Sequence, residues 1–240
     1  MVSTDDAERY VIGVKTEVAI ARVRSRVAAL HVELFRHGLR VATVSERVPG
    51  AELFLIRPAV SDADEPAPEQ MVLTDLDGAA VPETPGSDRA LTLDAEIHAG
   101  LYAAASRIGA VVHLESGHVA AWAARGEAIP CLTTAMADEF GAAVPVVGAP
   151  GDGDAAAIAR SLADAFGGGL RAALVQHRGA FVVGPTAKDA VRAALMLDDS
   201  ARTATLASLV GAAEPLDPDI ASRRFAASQA LRTTATDDRR

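Results

Sequence analysis

Lysine is almost missing from this chain of 240 residues: Lys15 and Lys188 are the only two. Arginine and alanine are plentiful instead, a genome-composition bias that says little about function. Cys131 is the single cysteine, which excludes an internal disulfide and any zinc knuckle built on cysteines. Positive charge is in deficit, with a formal net charge of −9 and a pI of about 5.1. Nucleic acid and anionic membranes both require a basic face, so neither is an expected partner. No apolar run reaches the length of a bilayer span, and no charged-then-apolar leader opens the chain, so the expectation is a cytoplasmic protein. What the chain does have is hydrophobic residues, 50% of the total, enough for one sizeable core.

The periodicity gives an order of elements. Apolar residues from Val18 to Phe35 recur at helical spacing, and Gly38 follows as a stop, so a long first helix runs from about Thr16 to His37. His31 and His37 read there as surface or core histidines without a task. Strands follow at Val41–Arg47, Leu53–Arg57 and Met71–Asp75, with Pro49-Gly50 as the first turn and an acidic loop over Ser61–Gln70. A helix from Thr92 to Tyr102 carries Glu96 in its first turn. Ala143–Val147 is strand-like, Asp154–Phe166 helical, Ala172–Gln176 and Ala180–Val183 are strands, and Thr186 caps a helix over Ala187–Val210. The segments divide as a loose N-terminus (1–15), one domain (16–214) and a C-terminal tail (215–240) that adds a short helix. Hairpin-like spacing early in the chain points to a largely antiparallel sheet in an α/β fold, and no glycine-rich loop has nucleotide-fingerprint spacing.

The chemistry concentrates in Ala110–His118, Ala-Val-Val-His-Leu-Glu-Ser-Gly-His. Val111, Val112 and Leu114 suit a buried strand. His113 and Glu115 are two apart, so both point to one face. The alternatives are a functional imidazole–carboxylate pair or a core histidine beside a solvated glutamate.

Several stretches, taken in order, resemble the class II aldolase/adducin superfamily: Val44-Ser-Glu-Arg47, Leu53-Phe-Leu-Ile-Arg-Pro58, Val72-Leu-Thr-Asp-Leu-Asp-Gly78, Glu96-Ile-His98 with Tyr102, Gly109-Ala-Val-Val-His113 and Gly179-Ala-Phe-Val-Val-Gly184. The resemblance runs from about Thr16 to Val210. It implies a three-layer α/β/α fold around a largely antiparallel sheet, and a tetramer with sites at subunit contacts. It also implies a divalent ion held by three histidines and an acidic residue that moves a proton. Glu96 falls at the acid/base position and His113 on the first metal histidine. The second is replaced by Glu115. Counting back from Gly184 puts Arg178 at the third, with His177 one residue early.

Other positions depart as well. Thr43 stands for the asparagine of the substrate-binding pattern that continues to Ser45. The phosphate loop reads Arg57-Pro58-Ala59-Val60, without the glycine and serine that reach a phosphate, so a sugar phosphate is not the expected substrate. Arg57 is either a carboxylate clamp or a surface arginine at a strand end.

Two accounts of the centre follow. In one, His113, Glu115 and His177 hold zinc, manganese or iron, which needs a bulge at His177. In the favoured one there is no metal or other cofactor: Glu115 and Arg178 pair across the vacated position, leaving Glu96 and His113 as an acid/base couple beside a guanidinium. His118 borders the pocket or begins a surface helix. The expected function is lyase- or isomerase-type proton transfer next to a carbonyl on a small, non-phosphorylated molecule, suited to secondary metabolism. The alternatives are a metal-dependent aldolase, epimerase or dehydratase, and a non-catalytic adducin-like scaffold.

Overall fold

The computed structural model describes residues 13–39, 42–58, 66–148 and 154–237. The expectations for the first residues, for Val41, for Ala59-Val60, for much of the acidic loop and for Gly151–Gly153 lie outside that range.

The chain alternates helices with short strands: α1 (Val14–Arg36), β1 (Ala42–Arg47), β2 (Leu53–Ile56), a 3-10 turn (Pro68–Gln70), β3 (Val72–Asp75), α2 (Leu93–Ala104), β4 (Ala110–Leu114), α3 (Gly117–Arg125), α4 (Thr134–Phe140), α5 (Ala155–Gly167), β5 (Ala172–Val175), β6 (Gly179–Gly184), α6 (Ala187–Val210) and α7 (Pro218–Asp237). The six strands form one sheet in the order β3-β2-β1-β4-β6-β5, and every pairing between them is antiparallel.

Strand alternation splits the core in two, because neighbouring side chains on a strand point to opposite faces. Val44, Leu55, Leu73, Val112, Leu114, Leu174 and Val182 pack under α1 and α6. Phe54, Ile56, Val72, Val111, Phe181 and Val183 pack under α2 and α5. The result is helix, sheet, helix in three layers, as the resemblance implied. His113 shares a face with Val111, so the sheet presents it to α2.

Three elements differ from the sequence reading. Ala143–Val147 is not a strand: Val144 bridges Ile129 and Val146 bridges Leu174, so the segment changes partner after two residues. Helix α4 was not anticipated, although Thr133 caps it through Met136 N–H and Gly141 ends it in the left-handed conformation. The C-terminal helix spans 20 residues and docks on α4 through Arg224–Asp138 (2.8 Å) and Arg232–Glu139 (2.6 Å). His31 is a satisfied core histidine: its Nδ1–H donates to the Val27 carbonyl at 2.8 Å, and its Nε2 accepts the Val44 amide at 3.1 Å.

Candidate active site

Where β4 ends, three elements bring charge together. His113 sits in the sheet between Thr43 of β1 and Phe181 of β6, its register partners on either side. Its ring stacks on Phe181, with centroids 4.4 Å apart and planes 7° from parallel. From above, α2 lowers Asp94 onto it: Nδ1 lies 2.9 Å from Asp94 Oδ2. From the side, the β5–β6 turn brings the Arg178 backbone oxygen to 2.7 Å from Nε2. The Arg178 guanidinium reaches 3.3 Å from the other Asp94 oxygen, and the nearby Thr43 side chain adds a small bias toward the ionised carboxylate.

These contacts fix the protonation. Burial pushes the His113 imidazole down, but the charge and hydrogen bond of Asp94, the Arg178 carbonyl and Glu115 outweigh it and leave the ring above its ordinary value. Burial pushes Asp94 up, yet the positive His113 and its hydrogen bond hold the carboxyl well below the usual carboxylate range. A carbonyl and a carboxylate both accept, so both His113 nitrogens donate and the ring is an imidazolium.

The sequence candidates are distributed unevenly. His113 and Arg178 are at the centre. Glu115 is near it, with Oε1 3.6 Å from His113 Nε2, on the shared face that their spacing required. Its side chain is 39% exposed, and the ion pair expected between it and Arg178 is not formed: the guanidinium goes to Asp94. Glu96 is solvent-exposed beside the Gly78 turn, and the carboxylate on His113 is Asp94 instead. The reason is helical register. Residues four apart share a face, so Asp94 and His98 are buried together, while Glu96 lies about 200° around α2 from Asp94. That spacing was the available signal for Asp94.

Ser45 faces α2 but is fully buried, its hydroxyl 2.8 Å from His98 Nδ1 and 2.7 Å from the Tyr102 hydroxyl, so no substrate reaches it. Arg57 is neither a clamp at this site nor a surface residue. It is buried with its guanidinium 4.9 Å above the Phe35 ring of α1, on the α1 side of the sheet. His177 is exposed at the turn with φ of 62°. His118 is half-buried in the first turn of α3.

A divalent ion does not fit these residues. Metal coordination takes a lone pair on imidazole nitrogen, and both His113 nitrogens are spent as donors. Among the described residues no three His, Cys, Asp or Glu side chains converge to hold an ion.

A three-layer fold around an antiparallel sheet, with a carboxylate–histidine pair at the end of a central strand, defines a class II aldolase-like protein. The model of the class II aldolase and adducin N-terminal domain matches residues 25–205, and the chain belongs to that family. It is 29% identical over 219 residues to an L-ribulose-5-phosphate 4-epimerase, UlaF, of Salmonella paratyphi B, spanning 85% of this chain and 93% of the relative. In fold it is similar to L-fuculose 1-phosphate aldolase from Glaciozyma antarctica, with a TM-score of 0.73 at 20% identity over 93% of this chain and 88% of the other. The corresponding aldolase of Thermus thermophilus gives 0.63 at 23% identity, covering 80% and 96%.

Proposed function

We propose that the protein is a lyase- or isomerase-type enzyme that moves a proton next to a carbonyl on a small, non-phosphorylated substrate, without a divalent ion. One observation carries this reading: His113 donates from both ring nitrogens while the Arg178 guanidinium stands on Asp94. Positive charge at the centre is thus supplied by two side chains. A substrate carbonyl oxygen that draws the Arg178 guanidinium to itself leaves Asp94 Oδ1 with one donor fewer, and the carboxylate regains basicity. Asp94 then accepts the proton from the adjacent carbon, the electron pair moves onto the carbonyl oxygen, and the Arg178 guanidinium donates to the resulting oxyanion, with the charge of His113 behind it. Cleavage or epimerisation follows from that enolate according to the substrate.

The test is deuterium exchange. The purified protein, treated with chelator, is incubated in D2O with dihydroxyacetone, hydroxypyruvate or L-ribulose 5-phosphate. Exchange next to the carbonyl of one of the first two, lost in Asp94→Asn, is the expected result. Exchange that requires added zinc or manganese, or is confined to the phosphorylated sugar, overturns it.

A second reading, a binding protein without turnover, is favoured by a different feature: both nitrogens of His113 and both oxygens of Asp94 already have partners within the chain. Absence of exchange with every probe would favour it.

A further inference from the structure

Beneath the Asp94–His113 pair lies a second buried histidine that the reaction above does not use. His98 is fully buried one helical turn after Asp94. It meets the Phe181 ring edge-on, at 6.0 Å and 80°, and the opposite relation of that ring is the face-to-face stack on His113. We propose that His98 is a positioning residue for the Asp94–His113 pair, holding the carboxylate through one turn of α2 and the imidazole through Phe181. The proposal rests on the reading of that pair as the reacting centre.

Hydrogen-bond counting fixes which form of His98 does this. The Tyr102 hydroxyl has Ser45 as its hydrogen-bond partner, at 2.7 Å, and burial keeps the phenol protonated. If the Tyr102 hydroxyl donates to Ser45 and Ser45 donates to His98 Nδ1, one hydrogen is left without a partner, that on Nε2. In the reverse direction the Tyr102 hydrogen and the Nε2 lone pair are both stranded. The first arrangement leaves fewer buried groups unsatisfied, and Nε2 is the ring atom that lacks a partner. Burial outweighs the attraction of Asp94 and, with the smaller push of the positive His113 and Arg178, keeps the ring neutral, its value lowered to about 3. A neutral, orientation-locked imidazole at this point adds no third positive charge to compete for Asp94. Ser45, His98 and Tyr102 each belong to stretches singled out in the sequence, and this relay gives them a common task.

The experiment is NMR of the whole protein. In the wild type, His98 nitrogen shifts should report the neutral Nε2–H tautomer, and the His113 Nδ1 proton on Asp94 should appear as a low-field resonance. Ser45→Ala and His98→Phe should each move that resonance. Ser45→Ala should also mix the His98 tautomers and lower the exchange kcat about tenfold or more with KM unchanged. An Nδ1–H tautomer in the wild type, or a His113 resonance unmoved in the folded Ser45→Ala protein, overturns the role of His98 alone. A wild type lacking the low-field resonance overturns the Asp94–His113 pairing and the proposed function with it.

Discussion

The Arg178 guanidinium lies 3.3 Å from Asp94 Oδ1, while His113 takes the other oxygen of the same carboxylate at 2.9 Å. One buried carboxylate thus neutralises two cations, one from strand β4 and one from the β5–β6 turn. Asp94→Asn leaves Arg178 without its carboxylate and His113 with only the part-exposed Glu115 at 3.6 Å, and breaking such a buried pair costs about 3–5 kcal/mol. We expect Asp94→Asn to lower the denaturation midpoint accordingly and to reduce deuterium exchange about 10²- to 10⁴-fold, the range for a lost acid/base group. Glu96→Gln, on the exposed side of α2, should alter neither; a loss of exchange there would return the acid/base role to Glu96.

The same contacts set the pH range of stability. His113 is held above its ordinary 6.5, so its contribution is complete below that pH and is lost as pH rises through the raised folded value. Asp94 is held below 3.8, so its contribution is present above that pH and is lost as pH falls through the folded value. His31 and His98 act in the opposite sense to His113. Both are buried neutral with values near 3, so the unfolded chain takes up protons first and stability declines as pH drops from 6.5 toward 3. Urea midpoints should therefore fall on both sides of neutrality. In Asp94→Asn the alkaline decline should move toward neutral pH, and in His31→Phe the acid decline should be shallower.

How much of this was written in the sequence depends on the period of each element. Val111, Val112 and Leu114 marked β4 as a buried strand, and the two-residue spacing of His113 and Glu115 put both on one face. Counting back from Gly184 brought Arg178, not His177, to the centre. What the count could not show was that its backbone oxygen, as well as its guanidinium, would do the work. Glu96 shows the limit of spacing on a helix: it stands two residues from Asp94, a two-residue shift is a change of face, and it is Asp94 that meets His113. Residue type alone does not show that Arg57 is buried against Phe35 or Ser45 beneath α2, because both are tertiary facts. Ala143–Val147 had strand-like residues, and no adjacent strand runs beside it for more than one bridge.

The Arg178 carbonyl reaches His113 because of Gly179. That residue has φ of 98°, and a Cβ there would stand 2.4 Å from the Leu114 carbonyl oxygen. Gly179→Ala should destabilise the protein by more than about 1 kcal/mol, since the left-handed strain and the backbone clash add. The clash displaces the β5–β6 turn, so the His113 proton resonance should shift in the folded variant. A stable Gly179→Ala protein with that resonance unchanged would contradict the geometry of the turn.

Outside the Asp94–His113 centre, Glu139 ties the C-terminal helix to the body. It is 3% exposed, accepts Arg171 and Arg232 at 2.6 Å each, and lies 3.6 Å from Arg192. Glu139→Gln removes the buried negative charge on which three guanidinium groups converge and leaves only Asp189, 3.4 Å from Arg192, beside them. We expect a loss of about 3–5 kcal/mol and earlier proteolytic cleavage within Pro218–Asp237, while deuterium exchange at temperatures well below the transition is retained. Equal protease resistance in the two proteins would show that the arginines do not anchor α7.

Zinc offers the sharpest discrimination between the two accounts of the centre. An ion that binds only the folded protein raises its stability by about 2.7 kcal/mol at a hundred times its dissociation constant. To coordinate His113, zinc must take the Nε2 lone pair, which requires removing that proton and displacing the Arg178 carbonyl at 2.7 Å. Glu115 is the nearest further acid, and His177 is exposed on the turn. Protein purified without tag or chelator should therefore carry well under one equivalent of metal, and added zinc or manganese should leave its Tm unchanged. One tightly held equivalent, with a Tm that falls on chelation, would mean that the turn rearranges around an ion, and the imidazolium reading of His113 would fail.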